Sequence, residues 1–196
     1  MKKLSILIIG FYILFSSDVD AQCNFKKITK SYQKTAKSED FTIPLNGIWT
    51  KLETIEHKAM SHTVLAGLAE SGEEYYLLLF VGRNLCSKFE IHKNNSLVLF
   101  LENGDSVSIF PCGDFTPRAL PLADCAIGCF YSITKEQIKQ IADNGRIKSF
   151  VIHISSDTKI LSAQIDEEGT MFFEYEITTE KYGAILPELA ACILNK

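Results

Sequence analysis

The sequence lacks the short patterns that announce a known chemistry. It has no His-Glu-x-x-His pair for zinc and no phosphate-cradling glycine loop. A Gly-x-Ser-x-Gly elbow is missing, which speaks against an α/β-hydrolase. No Cys-x-x-Cys occurs, so a thioredoxin-type redox centre is not indicated. Basic residues form no block, and net charge is −4. That balance lacks the footprint of a nucleic-acid binder and of a polybasic patch for anionic lipid. Past residue 21 no apolar run reaches the roughly 20 residues that span a bilayer. No internal repeat stands out, and nothing in the pattern calls for a cofactor.

What is present begins with an export signal. Lys2 and Lys3 form a basic start, and Leu4 to Phe15 follow without a charge. Ser16 and Ser17 end that run, and Val19 and Ala21 supply the small residues before Gln22. Basic start, short apolar core and small-residue exit together make a secretory signal peptide, with cleavage expected after Ala21. The core is too short for a spanning anchor. Gln22 sits where a lipoprotein signal wants a small residue, which argues against lipid on Cys23. Lys2 and Lys3 leave together with Asp18 and Asp20, so the net charge is unchanged. The expected location is periplasmic or secreted.

Six cysteines remain: Cys23, Cys86, Cys112, Cys125, Cys129 and Cys192. An even count in an exported chain favours disulfides over metal. Cys112 and Cys125 bracket an irregular stretch holding Pro111, Gly113, Pro117 and Pro121, and are the first guess for a bridge. Connectivity is otherwise open, and some thiols can stay free and buried. Cys125 and Cys129 stand four apart, but a structural zinc site needs a second such pair.

The chain divides into a signal at 1–21, a polar arm at 22–46 and a single domain at 47–196. The arm carries Lys26, Lys27, Lys30, Lys34 and Lys37, shows no period, and reads as a leader strand or loosely ordered segment. Strand-type runs follow at Gly47 to His57, Ser61 to Ala69 and Tyr75 to Val81. The last is apolar on both faces, as a central strand is. Asn103-Gly104 between Leu97–Leu101 and Val107–Phe110 suggests a hairpin with a type I′ turn, flanked by Glu102 and Asp105 at a solvated tip. Ile127, Cys129, Tyr131 and Ile133 alternate onto one strand face. Thr134 with Gln137 forms a capping box for a helix that Asn144-Gly145 ends. Further strands are expected at Arg146 to Ser155 and Met171 to Ile177, with Lys159 to Ile165 pairing beside the first. The tail from Thr179 to Leu194 reads as helix. Pro187 there marks either its first turn near Leu186 or a kink. Short links imply antiparallel pairing. The fold class is therefore α+β: a mainly antiparallel sheet with one capped central helix and a C-terminal helix packed on it.

The histidines, His57, His62, His92 and His153, have no metal-ligand spacing and suit surface or cross-strand roles. A Cys–His hydrolase requires only that nucleophile and base meet in space. Asp166-Glu167-Glu168 is a turn rather than a calcium loop, because its oxygens lack the alternate spacing. The function indicated is a non-enzymatic binding protein whose partner is another protein or an envelope component. The alternatives are an exported hydrolase with a Cys/His centre and a structural envelope component. The expected contact surface is the proline-rich loop from Pro111 to Asp124, with Phe115 and Arg118 as anchors, because loops carry contacts and aromatics and arginine dominate interfaces.

Overall fold

Alternating apolar positions build most of this molecule, and the sheet they form is antiparallel throughout. The computed structural model describes residues 23–58, 62–83, 89–119, 125–160 and 162–196. The expected signal at 1–21 lies outside the described residues, as do Cys86 and the loop from Pro121 to Asp124. In chain order the elements are β1 (Lys26–Lys27), α1 (Lys30–Gln33), β2 (Ile48–Trp49), β3 (Glu53–Lys58), β4 (His62–Ser71) and β5 (Glu74–Arg83). There follow β6 (Leu97–Leu101), β7 (Ser106–Pro111), β8 (Arg118–Ala119), β9 (Cys125–Ile133) and α2 (Lys135–Asp143). The last are β10 (Ile147–Ile154), β11 (Gln164–Ile165), β12 (Met171–Glu176) and α3 (Glu180–Leu194). The class is α+β, mostly antiparallel sheet with α3 packed on it.

The strands run in the order β1-β2-β4-β5-β9-β7-β6-β10-β12-β11, with β3 also on β4 and β8 also on β9. β7 makes the turn between two halves. Its residues 106–109 pair with β6, while Phe110 and Pro111 pair with Ser132 and Tyr131 of β9. A strand that serves two partners in succession bends one sheet into a corner. β5 lies between β4 and β9, and Leu77, Leu78 and Leu79 are all buried, as a doubly covered strand requires. β9 is also covered on both faces, since Phe130 is as buried as Cys129 and Tyr131. α2 packs on α3, and α3 lies against β3, β4 and β10.

Several local expectations need correction. The hairpin between β6 and β7 is not a two-residue turn. Gly104 N donates to Leu101 O and Leu101 N to Asp105 O, which makes a three-residue loop with Gly104 at φ 95° as its bulge. Glu102 and Asp105 therefore do not face each other, and Asp105 is held by Asn103 instead. β11 pairs with β12, not β10, because β6 and β12 already occupy both edges of β10. α3 begins at Thr179, whose hydroxyl accepts from Tyr182 N, and runs through Pro187 rather than starting beside it. The capping box on Thr134 and Gln137 is formed.

The polar arm is the larger surprise. Ile28, Tyr32, Ala36 and Ile43 are buried in the common core. Tyr32 stacks on Trp49 at 4.2 Å and meets Phe130 edge-on. Thr29 caps α1 by accepting from Tyr32 N. The arm's apolar residues are too sparse to show a period, yet Ile28, Tyr32, Ala36 and Ile43 all find the core. Its end is also tied covalently, by a disulfide from Cys23 to Cys192 of α3.

Candidate functional site

The arm crosses the sheet at Gly128 of β9. A side chain there would bring its Cβ to 2.5 Å from the carbonyl oxygen of Thr35, so only glycine lets the backbone after α1 lie this close. The segment 115–118 is joined to the arm through Thr116 N donating to Lys37 O. Two clefts flank this crossing. One, of about 520 Å³, is lined by Lys30, Gln33, Lys34, Lys37, Phe41 and Arg118, among others. The other, of about 570 Å³, is lined by Lys37, Glu90, His92, Pro117, Ser155 and Asp157, among others. Lys37 borders both.

The first cleft is cationic. Lys30, Lys34 and Lys37 are exposed, and none of them pairs with a carboxylate among the described residues. Lys30 and Lys34 are four residues apart, so they project on one side of α1. Arg118 turns its guanidinium onto the carbonyl of Lys34, where α1 ends. That bond fixes the arginine at the cleft wall and leaves its other donors for a ligand. Asp40, the nearest acid in sequence order after Glu39, is engaged by other partners. Lys93, 2.6 Å away, and the Ser38 hydroxyl hold its carboxyl well below the usual range.

The second cleft is polar. His92 has Glu90 at 3.4 Å from Nε2 and Asp114 at 3.5 Å from Nδ1. Ser155 donates its hydroxyl proton to Asn95. His153 lies outside both clefts. Its Nδ1 is 2.9 Å from Ser96 Oγ and 3.0 Å from Ser96 O, and its Nε2 is 4.0 Å from Asp166. The carboxylate of Asp166 is taken by the backbone N–H groups of Glu168 and Thr170. This histidine ties β10 to the residue before β6. The side chains of His57 and His62 lie outside the described residues. Their backbones belong to β3 and β4.

The anchors and the bridge expected from sequence part company. Arg118 is exposed at the cleft. Phe115 is 1% exposed and cannot touch a partner. It bridges Ser38 and Ile91 through its backbone and packs on Phe41 and Phe130. Cys112 is a free thiol, not half of a bridge to Cys125. Its N–H bonds to Phe130 O, whereas Cys125 lies five residues earlier along β9. Five strand residues span about 16 Å, beyond the roughly 7 Å that a disulfide tolerates. Burial, with Glu74 adding to it, pushes the Cys112 thiol up to about 12. Fully buried Cys129 is raised well above its ordinary value. Both are protonated at neutral pH and poor nucleophiles. Among the described residues no three His, Cys, Asp or Glu side chains gather as a metal site. No described helix is long and apolar enough to cross a membrane.

Sequence reasoning noted the lysines but not the site they make. Arg118 stands 84 residues from the carbonyl it holds, a pairing no local pattern signals. Comparison with protein-family models, curated proteins and solved structures finds no match for this chain.

Proposed function

We propose that this chain is an exported, non-enzymatic binding domain that holds an anionic group of an envelope component in the cleft between α1 and Arg118. The observation that carries the reading is one of charge. Four cations, Lys30, Lys34, Lys37 and Arg118, line one shallow, open cleft in a chain whose net charge is −4. Like charges repel, so gathering them without carboxylates costs stability unless a ligand completes the site. Phosphate, sulfate and carboxylate groups all meet lysine and arginine through charge-assisted hydrogen bonds. The Cys23–Cys192 disulfide suits an oxidising compartment. The hydrolase reading has little to support it, since the described thiols are protonated.

The test is calorimetric titration with a heparin tetrasaccharide as a small sulfated probe. A triple variant, K30Q/K34Q/R118Q, is expected to bind about tenfold more weakly, from roughly 0.5 kcal/mol per exposed charge. Equal binding by the variant, or none by the wild type, would overturn the site.

A further inference from the structure

The cationic character does not stop at the cleft. Between Cys23 and Ser38 the chain has five lysines and not one carboxylate. Two of them, Lys26 and Lys27, form β1, the strand at one end of the sheet order. Both are exposed, and neither has an ion pair among the described residues. Lys26 is stationed with its ammonium 5.7 Å from the centre of the Trp49 ring, and Trp49 itself is stacked on Tyr32 of α1. Only Ile28 and Thr29 separate β1 from α1, and both are fixed: Ile28 is buried and Thr29 caps the helix. Lys27 and Lys30 are thus at most about 11 Å apart along the chain. Separations of this order exceed the screening length of ~8 Å at physiological salt, so a ligand must itself span from one to the other to engage both. The result is a run of unpaired cations, Lys26, Lys27, Lys30, Lys34, Lys37 and Arg118, carried by an edge strand, a short helix and the cleft, with Lys26 and Lys27 on opposite sides of β1.

A single small anion fills the cleft and has no use for Lys26 and Lys27. An extended chain with a charge on each unit can run from the cleft to β1 and engage a lysine there as well. Accordingly we infer that the ligand is a polyanion rather than an isolated anionic group, and specifically an anionic polysaccharide. This deepens the reading above and rests on it. The chemistry of this run selects among polyanions. Nucleic-acid grooves present exposed aromatic rings on which bases stack, whereas here Tyr32 and Phe115 are buried and Trp49 and Phe41 half-buried. Thr42 on the cleft wall offers an exposed hydroxyl that suits sugar hydroxyls, while the Gln33 amide nitrogen donates to Ile43 O.

Binding of a polyanion releases its condensed counterions, so the slope of log affinity against log salt reports the number of ionic contacts. The experiment compares full-length heparin with the heparin tetrasaccharide, on the wild type and on K26Q/K27Q. These two side chains are exposed on a two-residue strand, and an unchanged melting temperature checks that the variant folds. For full-length heparin the slope is expected to be about 4 or more, falling by about 1–2 in the variant. Tetrasaccharide affinity is expected to be the same in both proteins. If heparin and tetrasaccharide share one slope and K26Q/K27Q changes neither, the site takes a small anion. The polymer inference then fails while the anion-binding reading stands. If neither probe binds, the reading itself fails. Single-stranded DNA or phosphatidylglycerol vesicles binding as tightly as heparin would overturn the polysaccharide class.

Discussion

Phe115 and Arg118 show how far single residues can be judged in advance. Both stand in a proline-rich stretch, and composition alone ranks them together as contact residues. Their fates differ because of partners remote in sequence: Ile91 and Ser38 close over Phe115, while Arg118 reaches Lys34 O in the open. No period within residues 111–124 encodes this. Phe115→Ala is expected to cost about 3–5 kcal/mol, the usual range for a buried ring leaving a cavity. The urea midpoint measures it. A loss under about 1 kcal/mol would mean that Phe41 and Phe130 collapse into the space. Cys129 was readable, because it sits amid an apolar alternation and packs there. The lysines of the arm were visible too, but only as charge. Their convergence on one cleft depends on the sheet that the arm crosses.

Elements with strong local signals were legible in the sequence and those without were not. The capping box on α2 is written in Thr134 and Gln137, two residues that satisfy each other without outside help. β5 is legible because seven apolar residues in succession have nowhere to go except a covered strand. α1 has four residues and no stripe of its own, so its existence depends on Tyr32 docking against Trp49 and Phe130. That docking in turn depends on Gly128. Gly128→Ala places a Cβ 2.5 Å from Thr35 O, a backbone atom that cannot swing aside. The arm must lift, carrying Lys34 and Lys37 away from Arg118. Reduced stability together with weaker heparin binding is the expected outcome, read by thermal melting and titration. Loss of stability with unchanged binding would show that the cleft does not depend on this crossing.

At the scale of the molecule, the arm pairs through only two strand residues and α3 through none, and a disulfide joins them to each other. Cys23 and Cys192 are 169 residues apart, with 5.7 Å between their Cα atoms. Closing so long a loop in the unfolded state removes entropy worth about 5 kcal/mol, an upper figure because unfolded chains keep residual structure. The bridge also restrains the leading end of the basic run, since Lys26 follows Cys23 by three residues. The double variant C23A/C192A is therefore expected to lose about 2–5 kcal/mol in urea unfolding. The same loss should follow reduction of the wild type, and Lys26 and Lys27 should then contribute less to the heparin salt slope. Production in a reducing cytosol should give both thiols free, while exported protein should carry the bridge and begin at Gln22. Intact mass before and after alkylation separates these forms. Equal stability of bridged and unbridged protein would mean that burial of Ile28, Tyr32 and Ile193 alone secures the ends. A bridged protein still carrying residues 1–21 would instead detach the disulfide from signal cleavage.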